Sequence, residues 1–462
     1  MRKISLTNHF LASALVLSMA VGGFSQNGAS STVSEVSVRA QMQFLAGDAL
    51  QGRGSGTIFE RIAAEYIGTQ FMQFGLEPAG QIGADGKPTY VQTVVVPGRE
   101  VVSEITFDAD GDQLAFGTDI IAFSVNSKQI TGPLQKLKPG DTATRGSIVL
   151  LNLGPDDKFD QALVGKLQND GAVAILLTEM KEIRENWSSV AGRKLNISRR
   201  GPNLLAVSTA GVVRLDALAP GSSITISATT ASSGDTYTWN AMGKITGTDA
   251  KLASEVILLT SHLDHLGVRE VAPGDDKIFN GADDDASGSV AVLELARVLS
   301  SGKKPKRTVY FVCFGSEEAG GHGARYFVEN MPFPKDKLVA NLEFEMIGRP
   351  DSLVKPEELW LTGYERSNLG PELAKRGARL VLDPHPTEKF FMRSDNYQLA
   401  KAGIIAHTLS SFGLHTDYHR PSDELKTIDF SHMTRSINSM VGPVKWLINS
   451  SFKPAWNPGQ KP

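Results

Sequence analysis

Residues 255–267 read EVILLTSHLDHLG. Val256–Thr260 form a continuous, mainly apolar run that is short for a helix and rich in branched side chains, which reads as a strand buried on both faces. The run passes straight into His262, Asp264 and His265. In open α/β sheets, chemically active groups collect beyond the carboxyl ends of the strands. The same layout recurs downstream. RTVYFVCF (307–314) leads into GSEEAGG (315–321), KLVANLEFEMIG (337–348) brings up Glu345, and GIIAHTLSS (403–411) is followed by GLHTDYHRPSDE (413–424). ELWLTG (358–363) reads as a further strand. Between the first two strands, ASGSVAVLELARVLSSG (286–302) places Val292, Leu293, Ala296 and Leu299 on one helical stripe that stops at Gly302. Buried strands alternating with helices predict an α/β fold, a mainly parallel mixed sheet flanked by helices. Four of the strand ends and the loop at 281–288 carry acids or histidines, so five such loops converge on one rim.

The bulk numbers narrow the field. The chain has 462 residues, 41% hydrophobic and 21% charged, with a formal net charge of −3. This composition is that of a globular protein with room for two or three domains. It lacks the basic footprint that nucleic acid or an anionic membrane surface selects. Arg2 and Lys3 precede an apolar run, Phe10–Val21, that is too short to span a bilayer. Residues 1–25 therefore read as a signal peptide, cleaved between Gly22 and Gln26, and predict an exported protein, periplasmic or secreted. No cysteine lies directly after that run, so no lipid anchor is expected, and no later segment is apolar enough to span a membrane. The single cysteine, Cys313, lies inside TVYFVCF and reads as a buried structural thiol.

Upstream, Glu35 to about Phe74 has helical apolar spacing, with Ile62, Tyr66, Ile67, Phe71 and Phe74 near one face and Gly75 as the stop. TYVQTVVV (89–96) reads as a strand. Residues 118–235 differ in pattern. GSIVLLNLG, GAVAILLTE, NLLAVST and SSITISA are short strands, DDKFDQALVGKLQND (156–170) is a helix, and ATTASSGDT (228–236) is a linker back. The expected organisation is a first segment at 34–117, an inserted β-rich α/β module at 118–235, a second segment carrying the site at 236–452, and a loose tail at 453–462.

Residues 281–288, GADDDASG, set Asp283, Asp284 and Asp285 side by side with nothing basic adjacent. Like charges repel, so the run needs a cation. Histidine with carboxylates suits zinc or a similar divalent ion, and a pair of ions about 3.5–4 Å apart sharing a carboxylate supplies the charge. The chain resembles the di-zinc aminopeptidases of metallopeptidase family twenty-eight (clan MH). The resemblance rests on FLAGDALQGRGSGT, WNAMGKITGTD, SHLDHLG, GADDDASG, SEEAGGHGARYF, EMIGR, RSDNY and DYHRPSDE, in that order along the chain. It implies the phosphorylase/peptidase-like zinc exopeptidase fold with an inserted protease-associated (PA) domain that shapes access to the cleft.

The resemblance also implies roles. His262 and Glu345 bind one zinc ion, Glu318 and His419 the other, and Asp284 bridges both. Asp264 accepts the second ring N–H of His262, Glu317 is the general base, Tyr418 donates to the oxyanion, and Arg393 positions substrate. A cis peptide is implied between Asp284 and Asp285. The family's usual Asp is here Glu345, one methylene longer, and Glu343 on the same strand face is a competing ligand. The implied activity is a zinc-dependent aminopeptidase acting on peptides with a free N-terminus by a two-metal, bridging-hydroxide mechanism. Other exopeptidases of this fold, a one-zinc glutaminyl cyclase and a receptor-like protein without activity are the rivals.

Several acids and histidines have simpler readings. Asp283 and Asp285 read as structural, Asp285 capping the next helix. His265 and His322 read as polar loop residues. His415 and His419 have i, i+4 spacing, but HTDYHRP lacks the Glu of H-E-x-x-H and Pro421 disfavours a helix, so His415 reads as a neighbour of the site.

Overall fold

The computed structural model describes residues 32–192, 195–197, 201–270, 272 and 274–462. The expected signal peptide at 1–25 lies outside them. The described residues form two compact units, one of residues 32–94 and 238–462, the other Val95–Tyr237.

Among the described residues the larger unit holds a nine-stranded sheet. At its centre Val256–His262 lies parallel to Thr308–Phe314 on one side and to Leu338–Phe344 on the other, and Ala406–Ser410 continues the parallel set. Thr236–Ile245 and Leu359–Leu361 border this set in antiparallel pairings, so the sheet is mixed. Every residue of Val256–His262 and Thr308–Phe314 is buried. The continuous apolar runs follow from that, since both faces meet helices. Cys313 is buried in the second of these strands.

The helical stretch at 35–74 is two helices. Ser34 caps Glu35–Leu45 and Thr57 caps Ile58–Gln73, each side-chain oxygen accepting an amide three residues on. Between them the chain turns through Gln51, Gly52 and Arg53, all at positive φ. Ile62, expected on the inner face, is 39% exposed, and that face instead carries Ala63, Ala64, Ile67, Gly68 and Phe71. The turn buries Arg53, whose guanidinium donates to the carbonyls of Leu45, Leu263, Asn280 and Gly281 at 2.5–2.9 Å. One cationic side chain thus ties the loops on both sides of the rim.

The smaller unit begins at Val95, not at 118. Strands Glu100–Ala109 and Asp112–Leu114 belong to it because Glu100–Ala109 pairs antiparallel along Ser223–Ser232. That pairing also extends the last strand to Ser232, so the linker expected at 228–236 is mostly strand. Ile148–Leu151, Ala174–Thr178 and Leu204–Val207 form its parallel core. The tail is packed rather than loose. Ala455 donates to Asn368 Oδ1 at 2.8 Å, Asn457 donates to the Arg366 carbonyl at 2.8 Å, and the Trp456 ring lies 6.2 Å from Phe391 and 5.5 Å from His407.

The buried helix Gly288–Ser300 starts against the strand Leu338–Phe344 at Gly288. A Cβ there would lie 2.0 Å from the Phe344 carbonyl oxygen and 2.4 Å from Asp285 Oδ1. Gly288 is therefore what lets Asp284, just before the helix, and Glu345, just after the strand, lie in one site. Gly288→Ala should cost about 1–3 kcal/mol in urea unfolding and should weaken divalent-cation binding. A variant of wild-type stability and cation affinity would contradict this close approach.

Candidate active site

The rim at the carboxyl ends of the parallel strands is built by five segments. His262 ends its strand fully buried, and Asp264 and His265 follow on the loop. Asp284 sits at a break in the 282–287 turn, and the Asp284–Asp285 peptide is cis. Glu317 and Glu318 occupy the tight turn after Phe314, where Ser316 has φ 61°. Glu345 extends from Phe344. His419 lies on the 413–424 loop at φ 55° and is 36% exposed.

Asp284 uses its two oxygens in different directions. Oδ1 lies 3.1 Å from His262 Nε2, and Oδ2 lies 3.2 Å from His419 Nε2. Glu318 Oε1 is 3.2 Å from the same His419 nitrogen. Two donor sets result: His262, Asp284 and Glu345 form one, and His265, Asp284 and Glu318 the other, the donor atoms of each within 4.8 Å of one another. Both ring nitrogens of His262 and of His265, and Glu318 Oε1, are buried without a hydrogen-bond partner. Buried polar atoms of this kind are costly unless something satisfies them. Imidazole and carboxylate donors left open at this spacing fit two divalent ions sharing Asp284.

The flanking acids are satisfied by the protein itself. Asp285 accepts the amides of His262, Gly288 and Met346 at 2.9–3.2 Å. It thereby fixes the strand end carrying His262, the start of the helix and the residue after Glu345. Asp283 accepts the Gly348 amide at 2.7 Å and meets His415 Nε2 at 3.0 Å, which places His415 behind the site. Asp423 accepts the amides of Asp283 and Asp284 at 3.0–3.1 Å, and Arg349 links Asp423, at 3.1 Å, to Asp417 at 2.7 Å. Asp423 and Arg349 carried no separate signal in the sequence beyond lying inside DYHRPSDE and EMIGR.

Glu343 is buried and takes the Asn396 amide together with the hydroxyls of Ser394 and Thr408. Its oxygens are occupied, whereas Glu345 belongs to a cation-competent set. Asp264 faces His262 as expected, its Oδ1 standing 3.7 Å from His262 Nδ1. Its carboxylate also accepts the amides of Glu317 at 3.0 Å and Glu318 at 3.3 Å, and the Ser55 hydroxyl. It pins the turn that carries both glutamates. His265, read as a polar loop residue, is 1% exposed and faces Glu318 at 2.8 Å. Its signal was its place three residues after His262, on the same strand end.

Crowding of acids shifts their ionisation. Burial drives Glu317 well above the usual carboxylate range; His262 opposes the shift, and Asp395, Glu345 and Glu318 add to it. Burial also lifts Glu345, to about 7. His419 is lowered by burial, but the carboxylates of Asp284 and Glu318 outweigh this and raise it to about 9. Burial and neighbouring carboxylates push the Tyr418 phenol up, so it stays protonated; its ring stacks on His419 with centroids 3.9 Å apart.

A cleft opens on Asp284, Glu317, Glu318, Glu345 and His419. Its far wall is apolar, formed by Met346, Trp360, Phe390 and Phe412, and Tyr418 and Arg393 complete the lining. The Arg393 guanidinium lies 4.9 Å from the Phe390 ring centre and 3.4 Å from Glu388.

Comparison with known proteins agrees with this geometry. Residues 240–442 match the model of peptidase family M28. An aminopeptidase of Pseudomonas aeruginosa is 43% identical over 79 residues, 16% of this chain and 15% of that protein. Aminopeptidase YwaD of Bacillus subtilis is 24% identical over 207 residues, 43% of each chain. The matched stretches thus span less than half of these curated relatives. Among solved structures, the aminopeptidase from Aneurinibacillus sp. strain AM-1 superposes with a TM-score of 0.54 at 20% identity, over 94% of this chain and 97% of that one. The chain therefore has the fold of that aminopeptidase structure, its metal-binding segments lie within the stretch that matches peptidase family M28, and a β-rich unit precedes them in the sequence.

Proposed function

We propose that the protein is a metal-dependent aminopeptidase that removes the first residue from peptides with a free N-terminus. The observation that carries this reading is the pair of donor sets sharing Asp284, with Glu317 beside them in the cleft. Two divalent ions held there would supply the positive charge that polarises a carbonyl and acidifies water.

The chain's own groups have distinct tasks. Glu317 takes a proton from the attacking water and passes it to the departing amine. A carboxyl group lifted well above its usual range is suited to both, because general acid–base groups work best near the working pH. The Asp264 carboxylate holds the Glu317 amide and keeps the turn from swinging away. Tyr418 keeps its phenolic proton and donates it as a hydrogen bond to the oxygen that gains charge. The wall of Met346, Trp360, Phe390 and Phe412 receives an apolar first side chain, and Arg393 at its edge meets the peptide beyond. Relatives called aminopeptidases favour this choice over other exopeptidases.

Glu317→Gln should keep its cation content and lose turnover by about 10²–10⁴-fold. The assay compares free and N-acetylated peptides, with metal measured on the same sample. Near-normal turnover in the variant would remove Glu317 as the base, and cleavage of acetylated peptides at equal rate would remove the aminopeptidase reading.

Cation binding should also release protons. After chelation, Glu345 holds its proton below about 7 and His419 below about 9. A cation binds only the deprotonated forms. Affinity should therefore rise with pH through this range, and zinc uptake at pH 7 should expel protons. Calorimetry in buffers of different ionisation heat measures the release, and uptake without it would contradict the assignment of these two ligands.

A further inference from the structure

We infer that His265 is a direct ligand of the second cation, which makes that site one imidazole richer than the pattern Asp284, Glu318 and His419 provides. The inference rests on the two-cation reading above and makes His265 and His419 ligands of the same cation.

His265 and His419 address the same two oxygens. His265 Nδ1 lies 2.8 Å from Glu318 Oε1 and 3.8 Å from Asp284 Oδ2. His419 Nε2 lies 3.2 Å from each of those atoms. Four donors around a tetrahedral zinc at its usual bond lengths stand roughly 3.3–3.4 Å apart, and these separations scatter about that value. The two rings stand 5.7 Å apart at 67°, so neither blocks the other.

The alternative is an ordinary hydrogen bond from His265 to Glu318. At 2.8 Å the atoms are close enough, yet neither His265 Nδ1 nor Glu318 Oε1 meets hydrogen-bond geometry, and both are buried. A shared cation satisfies both at once. The ring is also held in place. The His265 amide donates to the Arg53 carbonyl at 3.1 Å. Gly281, at φ 59°, lies so close that a Cβ there would stand 2.5 Å from His265 Cγ. Arg53 also donates to the carbonyls of Leu263 and Gly281, the residues that lead into and pack against this ring.

One consequence separates the two imidazoles. His419 sits on a loop and is 36% exposed, whereas His265, Asp284 and Glu318 are set into the rim. With His265 as a ligand, the second site keeps three protein donors when His419 is removed. His419→Ala should then still bind two cations, with reduced affinity for one.

The test uses the full-length protein loaded with Co²⁺. Proton NMR counts the hyperfine-shifted, solvent-exchangeable ring N–H signals of cobalt-bound imidazoles. The expected wild-type count is three, from His262, His265 and His419. His265→Gln, which keeps a polar side chain of similar reach, should lose one of them and weaken one cation by at least about 10-fold. A wild-type count of two, with two cations bound, would overturn the role of His265 and leave the two-cation site standing. That measurement needs no variant to fold. Failure of the wild type to bind two cations at all would overturn both.

Discussion

The Asp423 carboxylate accepts two successive backbone amides, those of Asp283 and Asp284, and the active rim depends on that grip. Hydrogen bonds to a charged acceptor contribute about 1.5–3 kcal/mol each, enough to hold a segment whose side chains repel one another. Arg349 offsets the added charge by pairing with Asp423 and Asp417. With its amides held from behind, Asp284 is free to present one oxygen to each donor set. Asp285 and Asp264 repeat the device on the neighbouring loops, each carboxylate spending its lone pairs on amides that carry the functional side chains. The rim is assembled by acids that do no chemistry so that other acids can.

This divides the buried carboxylates by what neutralises them. Asp283, Asp285, Asp423 and Glu343 are surrounded by protein donors. Asp284, Glu318 and Glu345 face open imidazoles and each other, with no lysine or arginine as partner among the described residues. An uncompensated charge at such a depth costs several kcal/mol, and two cations sharing Asp284 would supply the compensation. Glu317 belongs to neither group, and its raised proton affinity is the useful result.

Much of this was legible in the sequence because strand ends in a parallel sheet fall at the ends of apolar runs. EVILLTSH, RTVYFVCF and KLVANLEFEMIG mark three such ends, and His262, Glu317, Glu318 and Glu345 follow at once. The bridging position of Asp284 came from resemblance, since periodicity cannot choose among three adjacent aspartates. What escaped was set by long-range pairing. The smaller unit starts at Val95 because Glu100–Ala109 lies along a strand more than a hundred residues later, and no local pattern reveals that. His265 escaped because a second histidine near a first looks like ordinary loop polarity until its ring is found buried. Asp264 faces His262 Nδ1 as expected, but its acceptance of the Glu317 and Glu318 amides escaped because spacing does not show which lone pair meets which donor.

The packed tail has a kinetic meaning. Trp456 braces Phe391 and His407, and Phe391 adjoins Phe390 and Arg393 of the cleft wall. At the other end, the backbone of Val33 exchanges two hydrogen bonds with the side chain of Asn438. Contacts of such sequence separation form late, because the whole intervening loop must close first. The wall around Phe390 and Arg393 therefore consolidates late, once the distant segment that carries Trp456 has docked on Phe391.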